Sequence, residues 1–179
     1  TGSTARQQVR LTARSGAAIE WLPQESIVFD GAAASWTLDA EVDDGAAIVG
    51  LDVVMLGRAA RGEQFAHGEL RVRIRLARNG SPAFVEQWRL AGGDARLAAP
   101  QSLGSAPCFG TLWALGAHDR MSPALDAVRV ALDEEGSATL LPTGVLLARA
   151  LGRGPEAVRG VLERAWRALR PLVLGIAAY

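Results

Sequence analysis

Carboxylates set in apolar surroundings are the residues of this chain best placed to do chemistry. Asp52 is the sole charge in residues 46–56, and Glu86 alternates with Phe84, Trp88 and Leu90 in an extended pattern. A carboxylate so placed must be paired, hydrogen-bonded, protonated or bound to a cation, because burying it bare is costly. For Glu86 the two readings are a salt bridge to Arg73 and a position on a wet internal passage that carries a divalent cation. For Asp52 they are a buried hydrogen bond, to backbone or to another arginine, and that same passage. Oxygen ligands hold a transition cation less tightly than imidazole or thiolate clusters, which suits transfer over storage. Glu20 and Glu25 form a third carboxylate pair, but five residues apart on a broken strand they share no assured face for hydrolysis.

Other catalytic groups are scarce. All 19 cations are arginines, which excludes a Schiff-base lysine and a phosphate-loop lysine. No serine sits in a G-x-S-x-G elbow, and no G-x-G-x-x-G opens a helix. The two histidines, His67 and His118, and the lone Cys108 have no zinc spacing; each reads as structural or solvent-facing. The expectation is a protein that is not an enzyme and holds no tightly bound cofactor.

The elements that position these groups are mostly strands. At 49% hydrophobic and 21% charged residues the chain is a folded domain, and its 19 acids balance 19 bases, so no net field points to nucleic acid or membrane. A single cysteine and the lack of any long apolar run favour the cytoplasm. The polar opening, residues 1–6, does not resemble a signal peptide, and the lack of an initial methionine suggests a fragment. Val9, Leu11 and Ala13 alternate with polar residues as in a half-buried strand. Residues 35–42 and 46–56 read as a strand pair around Asp43-Asp44-Gly45, the second covered on both faces. Residues 69–90 read as a hairpin about Asn79-Gly80. Its two-residue turn sets Arg78 opposite Ser81, Arg75 opposite Phe84, Arg73 opposite Glu86 and Arg71 opposite Trp88. Thr111 to Leu115 and residues 139–151 are extended. Ser122-Pro123 opens a helix over 122–135, and Pro155 opens an amphipathic one over 155–170 that Pro171 ends.

Several blocks resemble one family. Glu20-Trp21-Leu22-Pro23-Gln24-Glu25 followed by Phe29-Asp30-Gly31-Ala32 is similar to the UreD (UreH) urease accessory proteins. The likeness continues in Leu56-Gly57-Arg58, Gly62-Glu63-Gln64-Phe65, His67-Gly68, Val85-Glu86-Gln87-Trp88-Arg89-Leu90, Gly110-Thr111-Leu112 and Trp166-Arg167-Ala168-Leu169-Arg170-Pro171. The resemblance implies a mainly β fold with two α-helices, a twisted β-helix-like stack of strands incomplete at the N-terminus. It implies one domain over 1–179, β-rich to 118 and mixed α/β beyond, without the family's N-terminal portion and C-terminal tail. It also implies a non-enzymatic scaffold that assists nickel insertion into apo-urease. The partners so implied are UreF directly, UreG through UreF, and apo-urease itself. Asp52 and Glu86 match acidic positions of the family's nickel path, with Ni2+ in transit. The competing reading is a β-rich interaction module with no metal path, in which both carboxylates serve structural ion pairs.

Overall fold

The chain coils between two sheets. The computed structural model describes residues 3–177. Strand β1 (Ala5–Ala13) starts an outer sheet; β2 (Ala18–Trp21) and β3 (Ser26–Val28) start a central one. β4 (Ala33–Val42) then returns to the outer sheet and β5 (Ala47–Leu56) to the central sheet. Ala34 lies beside Ala5 and Ala47 beside Ala18, so both layers advance by the same offset in parallel rungs. β6 (Glu69–Arg78) adds a further parallel rung beside β4, and β7 (Ser81–Ala91) turns back antiparallel. This part is a β-helix-like stack, and the described residues as a whole are mainly β with two α-helices.

The second half widens the central sheet. β8 (Cys108–Leu115), β9 (Gly136–Leu140) and β10 (Val145–Gly152) extend it in the order β5-β8-β10-β9. Helices α1 (His118–Leu132) and α2 (Pro155–Val173) cover its far face. At β5 the central sheet is therefore buried on both sides, which accounts for the nearly unbroken apolar run of that strand. Val49, Leu51, Val53 and Met55 face the helices; Ile48, Val54 and Leu56 face the outer sheet.

The structure departs from the sequence reading at five places, one of them residues 139–151, which form not one extended run but the antiparallel β9 and β10 joined by a turn. β4 and β5 do not pair, because the turn after Val42 carries the chain from one layer to the other. The hairpin register slips between Leu76 and Ala77, where a bulge absorbs Ala83. Arg78 still faces Ser81, but Leu76 faces Phe84, Ile74 faces Glu86 and Arg73 faces Gln87. A one-residue slip exchanges the faces of every later side chain, so Phe84, Glu86 and Trp88 turn inward and the arginines outward.

The helices differ at their ends. α1 starts at His118, a turn before Ser122, with Arg120 N–H bonded to the Ala117 carbonyl at 3.0 Å. Met121 is fully buried and fixes this early turn against the sheet, while Pro123 lies on the exposed side. α2 runs through Pro171 to Val173, because buried Leu169 and Val173 anchor both sides of the proline.

One glycine is required by packing. A Cβ on Gly50 would fall inside the ring of Trp113, its partner across β8. Gly50→Ala is expected to destabilise the fold by about 2 kcal/mol through overpacking. Urea denaturation checks this, and an unchanged midpoint would mean that the indole has another place to go.

Candidate functional site

Four polar residues form a row across the central sheet on the side facing the outer one. Asp52 on β5 lies opposite Thr111 on β8, Thr111 opposite Arg149 on β10, and Arg149 opposite Ser137 on β9. Register alone sets this alignment, since opposed residues on neighbouring strands share a face. Exposure rises along the row: Asp52 and Thr111 are half-buried, Arg149 and Ser137 exposed. The row leads from the interior outward.

Asp52 sits at the inner end. It borders a cavity of about 20 Å³ together with Gln7, Trp21 and Trp36, a volume that suits about one water molecule. No arginine lies within ion-pair distance of it among the described residues. Burial pushes its carboxyl up to about 6, opposed only by the Val53 backbone N–H. Of the two partners the sequence reading offers for a buried hydrogen bond, backbone or another arginine, the backbone is the one found. Nearby, the buried Trp113 Nε1 lacks a hydrogen-bond partner among the described residues.

Glu86 sits at the outer end. Its carboxylate pairs with Arg149, not with Arg73, because the hairpin slip turns it inward while Arg73 turns out. Glu86 and Arg149 border an open groove of about 720 Å³, with Trp88, Phe109, Leu103 and Glu134. Trp88 meets Phe109 edge-on, ring centres 5.4 Å apart. Thr111 also lines this groove, and so stands between it and Asp52. Asp52 and Arg149 are two strand spacings apart, roughly 10 Å. Asp52 thus stands in the row, Glu86 joins it from the outer sheet through Arg149, and the two carboxylates border separate cavities.

The row offers carboxylate and hydroxyl oxygens one at a time. No group of three or more His, Cys, Asp or Glu placed to hold a metal ion exists among the described residues. Such a set can pass a cation between oxygen ligands, and it can equally serve as a buried polar brace.

Other singled-out residues have structural partners. Glu20 accepts from Trp166 Nε1 at 2.7 Å and from Arg170 Nε and Nη2 at 2.9 and 3.0 Å. Arg159 donates to the Pro23 carbonyl at 2.9 Å and stands 4.0 Å from Glu25. The Glu20 to Glu25 block is thus fastened to α2, with its carboxylates committed to different arginines. Asp30 accepts from the His67 backbone N–H at 2.6 Å and lies 3.2 Å from its Nδ1; Glu63 accepts from the Asp30 N–H and from Arg58. Arg58 in turn lies over the Phe29 ring at 4.7 Å. The sequence places these residues in separate blocks, and only the fold joins them. Cys108 is buried, which pushes its thiol up to about 11, with the charge of Glu25 adding to the effect. At that value it is no nucleophile at neutral pH. His118 is exposed at the start of α1.

Thr111 and Arg149 escaped the sequence reading. Their signal was a polar residue at an inward position of an otherwise apolar strand, which depends on knowing the register.

The fold and site define a coiled, two-sheet protein backed by two helices, with a polar row between its sheets. The profile of the UreD urease accessory protein family matches residues 1–179. The UreD of Delftia acidovorans is 38% identical over 97% of this chain and 63% of its own length. That of Cupriavidus pinatubonensis is 38% identical over 99% of the chain and 63% of its own length. That of Pseudomonas fluorescens is 39% identical over 96% of the chain and 61% of its own length. The chain belongs to the UreD family of urease accessory proteins. It spans a little over three fifths of the length of these relatives, between 61% and 63%. No helix among the described residues is long and apolar enough to cross a membrane.

Proposed function

We propose that this chain acts in urease maturation as a non-catalytic scaffold through which Ni2+ reaches apo-urease. It works in the cytoplasm with UreF as direct partner and UreG held through UreF. The single observation that supports this reading is the polar row that climbs from Asp52 through Thr111 to Arg149, where Glu86 joins it. In this reading Ni2+ is cargo, held in transit by one or two oxygens and by water. Glu86 takes the cation at the groove by exchanging Arg149 for it. Thr111 separates the groove from the Asp52 cavity, and its side chain must turn aside for cargo to pass.

Thr111→Val tests that step. It keeps the shape of the side chain and removes its oxygen. With UreF, UreG and apo-urease present, urease-bound nickel is expected to fall several-fold while the complex still assembles. Nickel content by atomic absorption, together with size-exclusion chromatography, reads both quantities. Full loading by this variant would remove Thr111 from the path.

The second reading is an interaction module in which the row is only a brace. The Glu86–Arg149 ion pair favours it, since Glu86 already has a cation. Arg149→Gln separates the two. A brace predicts lower stability and weaker docking, whereas a path predicts intact docking with nickel loading kept or raised.

A further inference from the structure

The outward face of the outer sheet sorts its charges into two zones. Toward the turn end, each arginine has an acid. Arg75 donates to Asp39 at 2.8 Å and lies 3.8 Å from Glu41, Arg10 lies opposite Asp39, and Arg78 is 3.7 Å from Asp44. Toward the other end the balance fails. Register aligns Arg6, Ser35, Arg71 and Arg89 in one row and Gln8, Thr37, Arg73 and Gln87 in the next. Arg71 and Arg89 face each other directly, an arrangement that costs stability for like charges. Among the described residues Glu69 is the one carboxylate that pairs with them, and it is shared between both. Arg73 is exposed and has no ion pair or hydrogen bond among the described residues. In a chain with equal numbers of acids and bases, this is a local surplus of positive charge.

Shape narrows the ligand. Ser35, Thr37, Arg71, Arg73, Gln87 and Arg89 border a shallow, open depression of about 710 Å³, and Trp36, Val72 and Trp88, which alternation turns toward the core, border it from behind. Small ligands need a site that encloses most of their surface, and this one does not. No aromatic side chain points outward in these two rows, so nothing offers a stacking platform for bases. A flat array of guanidinium forks, hydroxyls and a carboxamide matches carboxylates presented side by side. We propose that this end of the outer sheet is a docking face for a carboxylate-rich protein surface, with Arg73 as its central contact. The face is distinct from the proposed nickel path, whose residues lie on the central sheet, although Thr37 and Arg73 also border the small cavity at Asp52.

The test needs no urease component. The full chain is titrated with an oligoglutamate peptide while backbone amide shifts are followed by NMR, with oligolysine and pyrophosphate as parallel probes. Saturable shifts confined to residues near Thr37, Arg73 and Gln87 are expected, weakening steeply as salt rises from about 0.05 to 0.5 M. Arg73→Glu is expected to weaken binding on the order of tenfold, whereas Arg10→Glu, in the balanced zone, changes it little. Arg73→Gln, which adds no repulsion, gives the same direction with a smaller effect, and thermal melting shows whether each variant is folded. Shifts spread over every exposed arginine, or equal losses from Arg10→Glu and Arg73→Glu, would overturn the proposal. So would pyrophosphate binding as tightly as the peptide, which would mark a small-anion site instead.

Discussion

Glu20→Ala is expected to lower the stability of this fold by about 3 kcal/mol, because it takes the carboxylate from a largely buried charge pair. Arg170 is only 5% exposed and directs both Nε and Nη2 to Glu20, while Trp166 adds an indole donor. These bonds join β2, at the edge of the central sheet, to α2. Burial alone would raise the Glu20 carboxyl, but the hydrogen bonds from Arg170 and Trp166 and the Arg170 charge hold it below its usual 4.5. Its contribution is therefore complete above that value and is lost as pH falls through the lower folded one. Urea denaturation at neutral pH checks the loss. Glu20→Gln, which keeps the shape and loses the charge, should fall between wild type and alanine. An alanine variant within about 0.5 kcal/mol of wild type would mean that water replaces the carboxylate without cost.

Asp52→Asn is expected to act in the opposite direction. Burial raises the Asp52 carboxyl to about 6, against an ordinary 3.8, so the folded protein binds this proton more tightly than the unfolded chain does. Stability then falls as pH rises through that interval, and the charged form costs about 3 kcal/mol once it is complete. Asparagine removes the charge and keeps the size. The variant should be more stable than wild type by about 2–3 kcal/mol near pH 8, and the gain should vanish by about pH 4. Denaturation midpoints across that range give the answer. A gain that does not depend on pH would point to packing rather than to charge, and no gain would mean that water already solvates Asp52.

Much of this is legible in the sequence. Asp52 stood out because one charge in an apolar strand breaks a local pattern, and the fold places it at a small cavity between sheets. The double coverage of β5 was legible for the same reason: both alternating sets are apolar, so both faces must be buried. Less local features were not. The register of the hairpin depended on a bulge at Ala83 that no residue type announces, and that single slip moved Glu86 from Arg73 to Arg149. β4 and β5 looked like a hairpin because a turn signal gives a change of direction without saying which layer receives the next strand. The convergence of Asp30, His67, Glu63 and Arg58 joins blocks that parallel coiling brings together, and coiling cannot be read from any one block.

The most direct test of the central claim is urease-bound nickel after maturation with UreF and UreG, comparing wild type with Glu86→Gln and Asp52→Asn. The account predicts that both variants assemble normally and load several-fold less nickel, the second despite its greater stability. Normal loading by both, or loss of loading only in step with loss of docking, would contradict it and leave the polar row as a brace.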